Sequence, residues 1–392
     1  MPRLLFALFA VAFGTNVPSP LLLRYRADLD LSAVALTAIF GVYAAGLLPA
    51  LLLGGPASDR RGRRAVALPF VLLSALASLT FLPGPGLVGR LFVGRFLQGI
   101  VSGVVFGVGS AWVADVTLRQ GRARAADAAR RTTIALSAGF ALGPLAGGLL
   151  GQWAPAPLAT PYLVHVALLV TGLVLLLRVP DVSTPSGTGP LLDLGIPAGA
   201  GRPFVWFVLP AGLCVFTFPS LSITVLPLEL QSAMAGFDVA VTGVVAALTM
   251  SAGVLVQPFA RRYGPVAVAW LAPVAGGVGL LVAVAASAVD LWPALLPSAV
   301  LLGAGYGLSL VAGLTATERL ADPAQRGALT ASFYAIAYLG FATPTLVAWG
   351  GRAGALSGRL LVVAGVAVVL AAVLAGPGRR RMPPPAASAP PD

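Results

Sequence analysis

Few side chains in this sequence can carry chemistry, and most of those are arginines. The densest group is GGPASDRRGRR, Gly54 to Arg64, which sets Arg60, Arg61, Arg63 and Arg64 beside one carboxylate, Asp59. A carboxylate among guanidinium groups makes strong charge-assisted hydrogen bonds. A second site is Arg95, inside the apolar run GRFLQGIVSGVVFG, with Gln98 one turn away. An arginine at the centre of a membrane span costs roughly 2.5–3.5 kcal/mol, which demands a watery cavity or polar partners; the alternative is an arginine that snorkels from the end of its span. Glu229 ends an apolar run and reads as a solvated end residue or as a titrating acid. His165 and Cys214, the single histidine and cysteine, lie far apart, so neither a metal cluster, a triad nor a disulfide framework is expected. Gly303-x-Gly305-x-Gly307 follows no strand, and without lysine there is no P-loop. No enzyme activity, cofactor or metal is expected.

The elements that must hold these groups are membrane spans. Of 392 residues 58% are hydrophobic and 10% charged, and mean hydropathy is +0.93. A soluble domain carries about 25% charged residues. A spanning helix needs about 20 apolar residues, and twelve runs qualify: 4–24, 33–54, 65–83, 88–113, 132–153, 158–178, 204–228, 239–260, 265–287, 292–316, 328–348 and 357–375. They are too long for barrel strands, so an all-α membrane protein with twelve transmembrane helices is expected. The N-terminal run resembles a signal peptide without a cleavage site and reads as a retained first helix. Pro18, Pro20, Pro144, Pro210, Pro219 and Pro344 read as kinks, their freed carbonyls satisfied by neighbouring helices.

Charge fixes the orientation. With both termini inside, inner segments hold 19 arginines and outer segments 5, with Arg95 inside a span. The positive-inside rule therefore puts both termini in the cytoplasm, and the same rule explains a net charge of +12 without any nucleic acid. Residues 179–203 are turn-rich and divide a bundle at 1–178 from another at 204–376, with a disordered tail at 377–392. ARRYGP at Ala260 repeats SDRRGRR at an offset of about 202, and GFATP at Gly340 repeats GFALGP at Gly139 at 201. Two repeats at one offset predict two pseudo-symmetric six-helix bundles.

The spacing Gly55-x-x-x-Asp59-Arg60-x-Gly62-Arg63-Arg64 resembles the signature loop of the major facilitator superfamily, with Ala57-Ser58 in place of the usual Leu-Ala. The resemblance implies a loop that keeps the inner side closed when the transporter faces outward. Arg95-x-x-Gln98-Gly99 resembles that family's fourth-helix motif, whose arginine is tied to proton transfer or anionic groups. Gly139-x-x-x-Gly143-Pro144-x-x-Gly147-Gly148 is close to the antiporter motif of its drug:proton exporters. Glycines four apart make a flat ridge, and Gly243, Ala247 and Ser251 in the eighth span offer a matching one.

The resemblance implies a secondary transporter in the cell (inner) membrane, most similar to multidrug efflux antiporters. Such a protein would export small, mostly lipophilic molecules by alternating access in exchange for protons, as a monomer in the bilayer. Asn16, Tyr43, Phe106, Trp112, Tyr306, Phe333, Tyr334 and Tyr338 are the further candidates to line its cavity, although aromatic residues at helical spacing more often serve packing. The acids of the first half lie at span ends or in loops, where proton coupling finds little support. An importer or facilitator of a small nutrient, and a non-transporting receptor on the same fold, are the alternatives.

Overall fold

Inside lipid a chain must pair its own backbone groups, so each apolar run forms a helix. The computed structural model describes residues 1–119, 125–181, 195–197, 199–322, 325–351 and 356–384. Twelve long helices run through them: α1 (Pro2–Leu29), α2 (Ala33–Arg61), α3 (Arg63–Leu79), α4 (Leu87–Arg119), α5 (Ala125–Trp153), α6 (Thr160–Leu176), α7 (Gly201–Glu229), α8 (Asp238–Tyr263), α9 (Leu271–Ala288), α10 (Trp292–Leu320), α11 (Arg326–Ala348) and α12 (Ser357–Arg381). The first six and the last six form the two bundles.

Several helices outrun their apolar stretches, because charged residues beyond the hydrocarbon are still good helix formers. α2 continues past residue 54 to Arg61, so Gly55, Asp59 and Arg60 stand on a helix rather than in the expected loop. The turn shrinks to Gly62, whose φ of 92° is open to glycine and strained for other residues. Gly264, between α8 and α9, has a φ of 88° and is its counterpart in the second half. α12 likewise runs through Arg381, into the expected tail. Residues 182–194 and 198 of the expected linker, and 385–392 of the tail, lie outside the described residues.

The internal prolines shape the packing through the carbonyls they free. Pro18 has no N–H for the Gly14 carbonyl, and Gln98 of α4 supplies the donor from Nε2 at 3.0 Å. In the second half Pro344 frees the Gly340 carbonyl, and Ser220 Oγ donates to it at 3.1 Å. There α11 tightens into a 3₁₀ turn over Gly340–Ala342.

The glycine face of α5 does not pack as its spacing suggests. A Cβ at Gly139, Gly143 or Gly147 would strike the backbone of α1 at Phe9, Phe13 and Val17. The ridge therefore serves α1, within its own half, and not α8. The neighbouring row crosses between halves: a Cβ on Gly148 would lie 2.8 Å from Gly243 Cα, and one on Gly243 2.6 Å from the Pro144 carbonyl. The two rows differ by one residue, which is about 100° around a helix of 3.6 residues per turn. The repeat keeps this logic, since Gly340 packs against the Phe216–Thr217 backbone of α7.

One apolar core joins both halves, from Leu21, Phe40 and Phe81 to Leu226, Leu295 and Leu360. Toward the arginine-rich end it divides into a cluster around Val71, Val105 and Trp112 and another around Phe207, Ala312 and Phe333. The halves are packed together at one end and parted at the other. Gly143→Val should destabilise the fold by about 1–3 kcal/mol through overpacking. Gly365→Ala, where a Cβ meets nothing within 4 Å, should leave thermal unfolding in detergent nearly unchanged.

Candidate functional site

Between the parted halves lies a cavity of about 340 Å³. Of the expected residues, Asn16, Tyr43, Phe106, Tyr306, Tyr334 and Tyr338 line it. Trp112 does not: its indole is buried, and Nε1 donates to the Pro180 carbonyl at 3.1 Å. Phe333 is also buried, against Gly212 and Gly313. Thr15, Ser102 and Ser220 add hydroxyls to the wall, with Thr15 Oγ1 3.2 Å from Ser102 Oγ.

Aromatic rings link the two halves along this cavity. Phe40 of α2 stacks on Phe341 at 5.5 Å between centroids, Phe341 meets Phe216 of α7 at 5.0 Å, and Phe216 stacks on Tyr338 at 4.8 Å. Phe40, Phe216 and Phe341 were not among the sequence candidates. The spacing Tyr334, Tyr338, Phe341 puts three rings on one face of α11 and was the available signal.

Arg95 is 1% exposed and does not reach headgroups. Nη1 donates to the Thr15 carbonyl at 2.7 Å and to Gln98 Oε1 at 3.1 Å, and Nη2 to the Phe40 carbonyl at 3.4 Å. The guanidinium also lies over the rings of Phe40 and Tyr43, at 5.2 and 4.9 Å. Hydrogen bonds to charged groups are worth about 1.5–3 kcal/mol each, so three acceptors offset the insertion cost without a carboxylate. Arg95 and Gln98 therefore sit behind the cavity wall and not on it.

At the arginine-rich end Arg63 is the hub. Its Nη1 meets Asp59 and, at 2.6 Å, Ser58 Oγ, and its Nε donates to Asp115 Oδ2 of α4 at 3.1 Å. Ser58, the departure from the family pattern, thus supplies a partner. The Arg64 backbone N–H donates to Asp181 Oδ2 at 3.0 Å, and its Nη2 to the Leu177 carbonyl at 3.0 Å. These bonds join α2, α3, α4 and the end of α6, all of the first half. Asp115 and Asp181 escaped the sequence reading because they lie far from Asp59 along the chain.

The opposite end is shut by polar contacts between halves. Arg26 Nη1 donates to Gln231 Oε1 at 3.1 Å, and Gln231 Nε2 to Asp238 Oδ2 at 3.0 Å. Gln152 Nε2 donates to the Gly236 carbonyl at 2.9 Å. Two titratable candidates lie away from the cavity. Glu229 is neither solvated nor cavity-lining: its carboxylate is 6% exposed and accepts the backbone N–H groups of Leu356 and Ser357 and the Ser357 hydroxyl. It caps the start of α12, where the helix dipole favours an anion. His165 is buried against α1 and α3, with Nδ1 2.7 Å from Ser78 Oγ and Nε2 3.1 Å from the Ala10 carbonyl.

The family model described as Major Facilitator Superfamily matches residues 4–343. The chain belongs to this superfamily. It is 34% identical over 128 residues to the "Multidrug resistance protein MdtL" of Escherichia coli O45:K1 (strain S88 / ExPEC), and 35% identical over 133 residues to that of Escherichia coli O139:H28 (strain E24377A / ETEC). Each match covers 32% of this chain and 32% of the relative, so it spans about a third of the relatives' own length. Solved structures share the fold. A nucleoside transporter, NupG, has a TM-score of 0.72 at 16% identity, covering 95% of this chain and 96% of that one. A peptide transporter, POT, in complex with sulfate has 0.77 at 18% identity, covering 97% and 95%.

Glu229→Gln removes a buried charge from its hydrogen-bond donors and should cost about 1.5–3 kcal/mol of stability. Thermal unfolding in detergent checks this, and ligand binding in the cavity should be unchanged.

Proposed function

We propose that this superfamily member exports small, mostly lipophilic molecules by alternating access, in exchange for protons. The observation that carries the reading is a mostly apolar cavity that opens toward the arginine-rich end and is closed at the other. The arginine bias supports a cytoplasmic position for that end and for both termini. Substrate would then enter from the cytoplasm or the inner leaflet. The glycine pattern of α5 and the partial likeness to proteins named for multidrug resistance support the outward direction.

In the reverse state the halves close over the arginine-rich end and part at the other. The Gly148–Gly243 contact lets backbone lie on backbone and supports rocking there. Asp59 and Arg63 hold the ends of α2, α3 and α4 in one unit that can meet the second half.

A strain stripped of its own exporters should gain resistance to lipophilic toxins when it makes this chain. Substrate should be excluded from right-side-out vesicles, and net accumulation there would establish import instead. Efflux should collapse when a protonophore dissipates the gradient; unchanged efflux would leave a facilitator. Asp59→Asn should cut efflux at least about tenfold, while stability falls by less than about 1 kcal/mol, because the carboxylate is half exposed.

A further inference from the structure

We infer that the cavity selects uncharged lipophiles over lipophilic cations. The inference rests on the transport reading and concerns its substrate class. Among the described residues, the cavity wall carries no carboxylate and no other charged side chain. Its polar groups are hydroxyls and the Asn16 amide. A cationic ligand would therefore meet no counter-charge there.

The nearest charge has the wrong sign for a cation. Arg95 lies directly behind Phe40 and Tyr43, two rings of the wall. Among the described residues it forms no ion pair, and its Nε donor has no partner. Carbonyls stabilise the guanidinium but leave its net charge in place. That field crosses one ring into a mostly apolar cavity, where the low-dielectric walls weaken screening relative to bulk water.

Aromatic walls can reverse such a preference, since a ring face attracts cations. Here many of those faces are already taken. Arg95 covers faces of Phe40 and Tyr43, Phe341 lies between Phe40 and Phe216, and Phe216 and Tyr338 cover each other. On Phe40, Phe216 and Phe341 what remains for a ligand is mainly ring edges, which carry partial positive charge, beside the hydroxyls of the wall. That surface suits a flat, uncharged molecule with hydrogen-bond acceptors.

Nile red and Nile blue share a fused-ring skeleton, the first uncharged and the second cationic at neutral pH. Each is titrated by fluorescence into purified protein in nanodiscs, with empty nanodiscs subtracted. Nile red should saturate and bind at least about tenfold tighter than Nile blue, the order expected for one charge at this range. Arg95→Gln should raise Nile blue affinity and leave that of Nile red within about threefold. Equal or tighter binding of Nile blue to the unaltered protein overturns the inference, as does saturation by neither dye. An unchanged Nile blue affinity in folded Arg95→Gln does so too. If that variant does not fold, the comparison on the unaltered protein decides. Binding needs no direction and no gradient, so failure here would not touch the export reading, and a failed efflux assay would leave this result standing.

Discussion

The structure depends on how closely α5 approaches α1. Apolar side chains gain little by meeting each other in lipid, so helices there are held by close van der Waals packing and polar contacts. Gly139, Gly143 and Gly147 let the α1 backbone lie directly on α5. The same stretch of α1 presents the Gly14 and Thr15 carbonyls to Gln98 and Arg95, and the Ala10 carbonyl to His165. Moving α1 outward would strip three polar side chains of their acceptors inside the hydrocarbon, where an unmet group is costly.

The charged groups divide by what surrounds them. Arg95 is dry and stabilised by carbonyls and rings. Arg63 is partly exposed and pairs with two carboxylates that are 48% and 32% exposed. Glu229 is buried on backbone amides and fastens α12 to the end of α7. The Arg63 set and the Arg26–Gln231 contact lie at opposite ends of the bundles, where the proposed cycle would join or part the halves.

Twelve helices and their two-fold repeat were legible from the sequence because hydropathy, arginine bias and the 201–202 offset are one-dimensional signals. The matched turns at Gly62 and Gly264 carry the repeat down to backbone angles. The contacts were harder to read. Glycine spacing shows that a helix has a flat side but not which neighbour covers it, and the row through Gly143 faces α1 while the row through Gly148 faces α8. Arg95 stood out as costly in lipid, yet its acceptors are main-chain atoms, which leave no mark in residue type. Glu229 looked like an end residue because nothing nearby in sequence announces Leu356 and Ser357 as its donors.

Phe341 sits on the 3₁₀ turn of α11 and covers Phe40, the ring that shields Arg95. In the proposed cycle the halves would separate at the sealed end; these two rings would then part, and solvent would reach the shield. In that cycle the guanidinium would be driest while the cavity faces the arginine-rich end and better hydrated once it faced the other way. Each turnover would wet and dry one fixed positive charge, so the hydration of Arg95 would report which way the protein faces.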